Sequence, residues 1–586
     1  MTSTFIPGKD AALEQSITRF QNQLAALGFH IEEASWLNPV PHVWSVHIRD
    51  RDCPQCFTNG KGATREAALA SALGEFFERL SCNYFFADFY LGRQLATGAF
   101  VHYPDECWFA LTGDDSLPAG LLDEHMLDVY QQNGPLHASQ LLDLQSGNEE
   151  RGVCALPFVR QSDGKAVHVP VNLIGNLYVS NGMSAGNNAI EARGQALAEI
   201  IERHVKQRIL SEALALPAIP DSVLDEHPKV REALAGLAAA GYPTLALDAS
   251  LGGQFPAVCV VLFNRDNGTS FASFGAHPNF AVALERTVTE LLQGRSLKQL
   301  DVFAEPSFDN ELVADPTNLE THFTDSSGHL GWDMLRTPAD FAFCRWNFSG
   351  DTTAIFQHQL DLLHGLGHEV YIADYSHLGV DACRILVPGL SEIYPLDDLV
   401  HANNNAGLGW RELLCDLPEV AADPEDFLGL LETLNEENLA DDLLLSEFLG
   451  LLFEPGSGWD SLRIAELKAM LALAGGDHAT ALEWVQWLLN HAQDSLPAER
   501  QRHYLCLVSL LQMAGLHGLE ALEHYAGALV LQFGAEEPEQ ALAIALGEQR
   551  FHGLEALDCE GFANMPAMRR LLDAYLKLKP DLRRTG

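Results

Sequence analysis

At 586 residues, against domains that usually run to roughly 100–200, the chain has room for about three or four domains or one large core with an appendage. Hydrophobic residues at 47% and charged ones at 20% are ordinary for a globular chain and exclude disorder, collagen and coiled coil. Thirty-six Lys and Arg against 80 Asp and Glu leave a net charge of −44, which counts against nucleic acid or an anionic membrane as a partner of the whole chain, though a local basic groove stays compatible with it.

In chain order, the opening MTSTFIPGKDAALEQ has no basic stretch followed by an apolar one, so it does not read as a secretion signal. Ala12–Leu27 and Arg65–Leu80 have amphipathic helical periods, whereas Val43–Ile48 and Ala257–Phe263 read as strands. The longest clean apolar run, Phe255–Phe263, is far short of the roughly 20 residues that span a bilayer. Glu369–Pro388 is patterned as strand, turn and strand, with Gly379 as the breaker. Residues 1–400 are therefore expected to form an α+β (mixed α/β) core. Eleven cysteines without framework spacing read as reduced, mostly buried thiols of a cytoplasmic protein.

Composition shifts after about residue 400. No Lys or Arg occurs between Arg411 and Arg463, and the acidic stretch from Asp416 to Glu447 reads as a solvated face. From Leu462 onward helical periods run to the end. Lys468–Leu489 resembles a tetratricopeptide-type helix–turn–helix with Gly475, Gly476 and Asp477 at the turn, and Leu510–Leu529 is a looser echo. Residues 401–586 are thus expected to be an all-α, TPR-like or otherwise bundled domain serving interaction or assembly.

Chemistry is sought on three helices of the core. Glu191, Gln195, Glu199 and Glu202 fall at about 0°, 40°, 80° and 20° around one helix, a narrow stripe opposite Leu197, Ile200 and Ile201. Glu75, Glu78 and Arg79 repeat the device in GEFFER, backed by Leu73, Phe76, Phe77 and Leu80. In ALERTVTELLQGR, Arg286, Glu290 and Gln293 share a face. Each stripe taken alone fits an exposed face. Against that, the block E-x-x-E-R occurs twice, and the glutamates are accompanied by Arg or Gln instead of the usual surface Lys. The turn Ser180–Asn188 also offers small residues at a helix N-terminus, a ready place for an anion.

If the stripes face one another, two carboxylates about 5 Å apart repel by about 3 kcal/mol at an effective dielectric near 20, so they need protons or cations. Carboxylate oxygens without Cys or paired His suit Mg²⁺ or Ca²⁺ better than Zn²⁺, and the arginines suit phosphate. The residues point to a Mg·nucleotide site built on helices. It is not of the Walker type, because Asn59–Thr64 (NGKGAT) has the wrong spacing. Cys53 and Cys56 form a lone C-x-x-C that reads as a turn, and His358, His364 and His368 are separated from metal spacing by Gly365 and Gly367.

The runs Ser180–Arg203, GEFFER, ALERTVTELLQGR and VDACRILVPGL resemble the YcaO family of ATP-dependent enzymes over nearly the whole of the first 400 residues. The resemblance implies ATP and Mg²⁺ as cofactors, with Mg²⁺ ligands among Glu75, Glu78, Glu191, Glu199, Glu202 and Glu290. It implies phosphate contacts from Arg203, Arg286, Ser184 and Asn187, and places Lys9 and Ser16 near the nucleotide. The implied reaction is phosphorylation of a peptide backbone amide oxygen after a nucleophile has added.

With the helical C-terminal part, the likeness narrows to members that assist β-methylthiolation of a ribosomal protein. That implies a peptide or protein substrate and a methylthiotransferase as partner. Two departures stand out: the chain ends PDLRRTG where azoline-forming members carry a PxPxP tail, and Ala72 sits three before Glu75 where many relatives have Ser, with Ser71 adjacent. Two other readings compete: a non-catalytic accessory scaffold that binds ATP and recruits an enzyme through its helical part, and a carboxylate-bridged metal hydrolase without nucleotide. The apolar helical C-terminus suggests a homodimer. The sequence names no catalytic group, amide or nucleophile.

Overall fold

Three antiparallel sheets, each carrying a helix on one face, build the first two thirds of the chain. The structure is a computed structural model; it describes residues 3–579 except 99, 144–146, 148, 301, 396–406 and 492–495. Strands β1 (Ile31–Val40), β2 (Val43–Asp50) and β3 (Phe57–Gly62) form the first sheet in the order β1-β2-β3. The helix Arg65–Ser81 lies on it, started by Thr64, whose hydroxyl accepts the Ala67 N–H at 3.2 Å. Ala68, Ala72, Leu73, Phe76, Phe77 and Leu80 are its buried stripe. A Cβ at Gly60 would stand 2.1 Å from the Ala68 carbonyl oxygen and 2.4 Å from the Ala72 nitrogen, so the helix backbone rests directly on β3. That close approach turns Glu75, Glu78 and Arg79 away from the core.

The second sheet runs β4 (Cys107–Phe109), β5 (Val153–Arg160), β11 (Tyr371–Tyr375), β12 (Asp381–Leu386) and β7 (Met183–Gly186), with β6 (Ala166–Pro170) paired to β5. The third is β10 (Ser270–Ala276), β9 (Ala257–Phe263) and β8 (Thr244–Asp248), in that order. The long helix Ala189–Ser211 is wedged between them; its Leu197, Ile200 and Ile201 are fully buried in a core shared with β9, β10, β11, β12 and the helix Thr352–Gly365. The helix Phe280–Glu290 covers the third sheet. The expected mixed α/β core is the one observed: the strand read at Ala257–Phe263 is β9 to the residue, and the expected hairpin is β11–β12 with Gly379 at φ +79°.

Three local expectations are corrected. The third helix ends at Glu290, so Gln293 lies in the turn beyond it and not on a third helical repeat. The small-residue turn at Ser180–Asn188 is in part strand β7, where Ser184 pairs with Cys383 of β12. Leu510–Leu529 does not repeat the preceding hairpin; it joins the end of the helix Ala498–His517, a 3-10 turn Leu519–His524 and the start of the helix Ala526–Phe533.

The C-terminal part is helical, with the hairpin Ile464–Ala474 and His478–His491 turning at Gly475–Asp477 as expected. It does not stand apart. One apolar cluster includes Phe76 and Phe77 with Trp410, Leu467 and Tyr575. Tyr575 meets Phe86 edge-on at 5.3 Å, and Lys577 reaches the buried Asp50 at 2.9 Å. The boundary expected near residue 400 and the tail PDLRRTG lie outside the described residues. Among the described residues no helix is long and apolar enough to cross a membrane.

Candidate nucleotide and metal site

A cavity of about 1000 Å³ opens where the three glutamate-bearing helices meet. Lys9, Ser16, Glu75, Glu78, Ser184, Asn187, Glu191, Glu199, Glu202, Arg203, Arg286 and Glu290 all line it. The polar stripes share this space because each helix commits its apolar side to a sheet: Arg65–Ser81 to the first, the long helix to the second and third, and Phe280–Glu290 to the third.

The start of the long helix is the most tightly built corner. Asn188 caps it, accepting the Glu191 N–H at 2.9 Å. The Glu191 carboxylate, 3% exposed, receives Lys9 at 3.2 Å, the Asp10 N–H at 2.9 Å and the Asn187 side-chain amide at 3.0 Å. Burial works to raise the Glu191 carboxyl, yet Lys9 and these donors outweigh it and hold it below the usual range. Ser16, on the helix Leu13–Leu27, donates to Asn187 at 2.8 Å. The N-terminal segment is thereby folded over the helix end.

Farther in, most of the glutamates have a cation beside them. Arg79 lies 3.2 Å from Glu75 and 3.8 Å from Glu78; Arg203 lies 3.1 Å from Glu199; Lys61 pairs with Glu290. Arg286 donates to Gln195, and Gln293 donates to the Asn59 carbonyl. Burial pushes the Glu78 and Glu202 carboxyls up, opposed by Arg79 and Lys61 respectively. Burial likewise lowers the Lys61 ammonium, whose side chain lines the cavity and is 29% exposed. Lys206, held by the His322 carbonyl at 2.5 Å and Ser326 at 2.8 Å, is pushed down to about 8 by burial.

Lys61 was missed by sequence reasoning. It stands in the NGKGAT run, which has no phosphate-loop spacing, and only the β3–helix packing turns it into the cavity. Gln293, beyond its helix, still reaches the wall. Cys53 and Cys56 form a buried turn with sulfurs 3.9 Å apart, outside the cavity.

The donor set fits a divalent cation bound with a polyphosphate. Glu199 Oε1 and Arg79 Nη1 are buried without a hydrogen bond, although Glu199 Oε1 sits 3.1 Å from Arg203, so that pair is electrostatic without alignment. Among the described residues no three Asp, Glu, His or Cys side chains gather around one point. Mg²⁺ does not need such a cage: it takes one or two carboxylates and completes its shell with phosphate oxygens and water. Ca²⁺ and Zn²⁺, which draw more of their ligands from protein, fit less well.

Comparison with known proteins agrees with this chemistry. The family description "YcaO cyclodehydratase, ATP- and Mg²⁺-binding" matches residues 59–391, and "YcaO cyclodehydratase C-terminal domain" matches residues 407–584. The chain is 57% identical over 579 residues, 99% of its length and 98% of the relative's, to the Escherichia coli (strain K12) protein named "Ribosomal protein S12 methylthiotransferase accessory factor YcaO". Two solved structures are remotely similar. One, YcaO from Methanopyrus kandleri bound with AMPPCP and Mg²⁺, is 17% identical with a TM-score of 0.41, covering 67% of this chain and 95% of that one. The other, a heterocyclase in complex with substrate and cofactor, is 17% identical with a TM-score of 0.45, covering 70% of this chain and 57% of that one. Two family matches that together take in most of the chain, and a relative alike from end to end, make this protein a member of the YcaO family.

Proposed function

We propose that this chain binds ATP with Mg²⁺ in the cavity and uses it to activate a peptide backbone amide by phosphorylation, in support of β-methylthiolation of ribosomal protein S12. The observation that carries the reading is the convergence of six glutamates from three helices, with Lys and Arg interleaved, on one cavity. In this reading the Mg²⁺ ligands come from among Glu75, Glu78, Glu191, Glu199, Glu202 and Glu290. Arg203, Arg286, Ser184, Asn187, Lys9 and Ser16 hold the nucleotide. When bound, Mg·ATP supplies the phosphoryl group and the charge that balances the carboxylates. The chain's own part is positioning: the carboxylates paired with Lys61, Arg79 and Arg203 would hold the metal, and those cations would balance the phosphate charge. A cytoplasmic enzyme acting on a peptide or protein, divided near residue 400 into core and helical region, is the form it takes. Exposed Leu516 (79%) and Leu531 (90%) on the C-terminal helices support a homodimer.

Titration calorimetry with a non-hydrolysable ATP analogue tests the site. Binding is expected to require Mg²⁺ and to fall at least tenfold in Glu191→Ala and Glu202→Ala; unchanged affinity in both variants overturns the assignment.

A second reading, the accessory scaffold, draws on a separate observation: among the described residues, none after Ile393 lines the cavity, so the helical region is free for another task. Truncation does not discriminate, because removing that region would strip the apolar cover from Phe76 and Phe77. A folded Glu202→Gln variant without ATP turnover does. If it restores methylthiolation in cells lacking the protein, the scaffold reading stands; if it does not, the enzyme reading stands.

A further inference from the structure

One wall of the cavity, Phe323 to Ser326, belongs to a small module covering residues 302–336. It is assembled from the helices Asn310–Ala314 and Pro316–Thr324 and the 3-10 turn Trp332–Leu335. A bridge between Ser307 and Gly331 holds its two ends together: the Ser307 N–H donates to the Leu330 carbonyl at 2.8 Å, and the Trp332 N–H to the Ser307 carbonyl at 2.9 Å. That bridge sets Phe308 beside Trp332. Their rings stack with centroids 5.8 Å apart and 24° between planes, while remaining 79% and 39% exposed. Leu312, on the following helix, is 42% exposed. Beneath them Val313, Leu330 and Met334 are buried, and Asn310 donates to Asp333 at 2.9 Å. The rings are thus presented from a fixed platform, and the fold itself makes little use of their outer faces.

Charge identifies what fits there. From residue 302 to 335 there are seven Asp and Glu and no Lys or Arg. Glu305, Asp309, Glu311 and Asp315 are exposed and, among the described residues, have no ion-pair partner; Asp333 is answered by Arg336 at 3.8 Å. Asp309 and Asp315 also cap the two short helices, accepting the Glu311, Leu312 and Thr317 N–H groups, but among the described residues no cation neutralises them. A stacked aromatic pair beside carboxylates that lack a cation is complementary to cationic side chains with apolar stems. A guanidinium or ammonium can lie over the ring face while its donors reach the acids and its methylenes cover Leu312.

We infer that the Phe308–Trp332 stack with its acidic rim is a docking surface for a Lys- and Arg-rich polypeptide segment. This deepens the function proposed above by giving the class of polypeptide brought to the cavity, and it rests on that reading only for its purpose. Phosphate-rich nucleic acid and anionic lipid are repelled by the same rim. A second copy is disfavoured as well, because a two-fold contact would set these acids against themselves. The surface is also well placed: the nine-residue helix Pro316–Thr324 leads from it to the cavity wall, a rise of about 13 Å. Roughly four extended residues of a docked segment would cover that span.

Fluorescence anisotropy on the full-length chain at 150 mM salt (about the physiological value) tests the inference. The probe is a labelled peptide in which Arg and Lys alternate with Leu and Gly, compared with the same peptide carrying Gln in place of Arg and Lys. The double variant Phe308→Ser, Trp332→Ser is expected to weaken binding of the basic peptide at least tenfold, and Glu305→Gln with Glu311→Gln severalfold. Glu419→Gln with Glu425→Gln, exposed acids of the helical region, should leave it unchanged. Equal affinity in the ring variant, tight binding of the Gln peptide, or an equal loss in the Glu419/Glu425 variant each overturns the inference. So does a change in the sedimentation of the free ring variant, which would assign the patch to a second copy. ATP-analogue affinity is measured on the same samples: its absence with peptide docking intact strikes the nucleotide reading and leaves this one standing.

Discussion

Glu191 is where one substitution should uncouple both the local fold and the ligand. Its carboxylate accepts the Asp10 N–H at 2.9 Å and the Asn187 amide at 3.0 Å, and hydrogen bonds to a charged acceptor contribute about 1.5–3 kcal/mol each. The Lys9 pair, with Lys9 26% exposed, adds less than about 1 kcal/mol after screening. Of these contacts only the Asp10 bond and the Lys9 pair tie residues 8–12 to this carboxylate, so Glu191→Ala should favour local opening of that segment by about 2–4 kcal/mol, at least on the order of tenfold in the opening equilibrium. Hydrogen exchange at the Asp10 amide reads this directly, because that N–H is the one Glu191 receives. Glu191→Gln, which keeps an acceptor oxygen without the charge, should lose about half as much protection but as much Mg²⁺-dependent nucleotide affinity as alanine. Unaltered Asp10 exchange in Glu191→Ala would refute the reasoning, since it would mean the carboxylate does not hold the N-terminal segment down.

Further expectations test how the rest of the molecule is tied together. Lys577→Met leaves Asp50, whose side chain is 0% exposed, with the His30 N–H as a remaining donor; a loss of about 2–4 kcal/mol in chemical denaturation is expected, and a loss within error would show that the helical region does not anchor there. Gly60→Ala places a methyl 2.1 Å from the Ala68 carbonyl, so the helix Arg65–Ser81 must lift from β3; low yield of folded protein or a markedly lower thermal midpoint is expected, and wild-type stability would contradict the close packing. Burial lowers the Lys579 ammonium to about 7, against 10.5 when unfolded, despite the facing rings of Phe100 and Tyr575. Between those values the unfolded chain binds more protons, so this residue makes stability rise with pH over that window. Urea midpoints at pH values near 7 and 9 should show a steeper rise for the wild type than for Lys579→Met, and equal slopes would rule the effect out.

Much of this was legible in the sequence, for one physical reason: helical periodicity fixes which side chains share a face. The stripe Glu191, Gln195, Glu199 and Glu202, opposite Leu197, Ile200 and Ile201, follows from about 100° per residue and needs no knowledge of neighbours. The same holds for Phe76 and Phe77 behind Glu75 and Glu78, and for the strand Ala257–Phe263, whose unbroken apolar run suits burial on both faces. Local chemistry also fixed the turns at Gly379 and at Gly475–Asp477.

What the tertiary structure decided is where those faces point and what meets them. Lys61 becomes a partner of Glu290 only because Gly60 lets a helix rest on β3; no spacing rule carries that information. Ser184 reads as a turn residue until β12 arrives, some 200 positions later, to pair with it. The helical region reads as a separate unit by composition, yet Tyr575 and Lys577 close over Phe86 and Asp50. Phe308 and Trp332 stand 24 residues apart and are stacked only by the bridge beneath them. Periodicity is a property of neighbouring residues, whereas a cavity is made by segments that meet through burial of their other sides; the first is written along the chain, and the second exists only once the chain has folded.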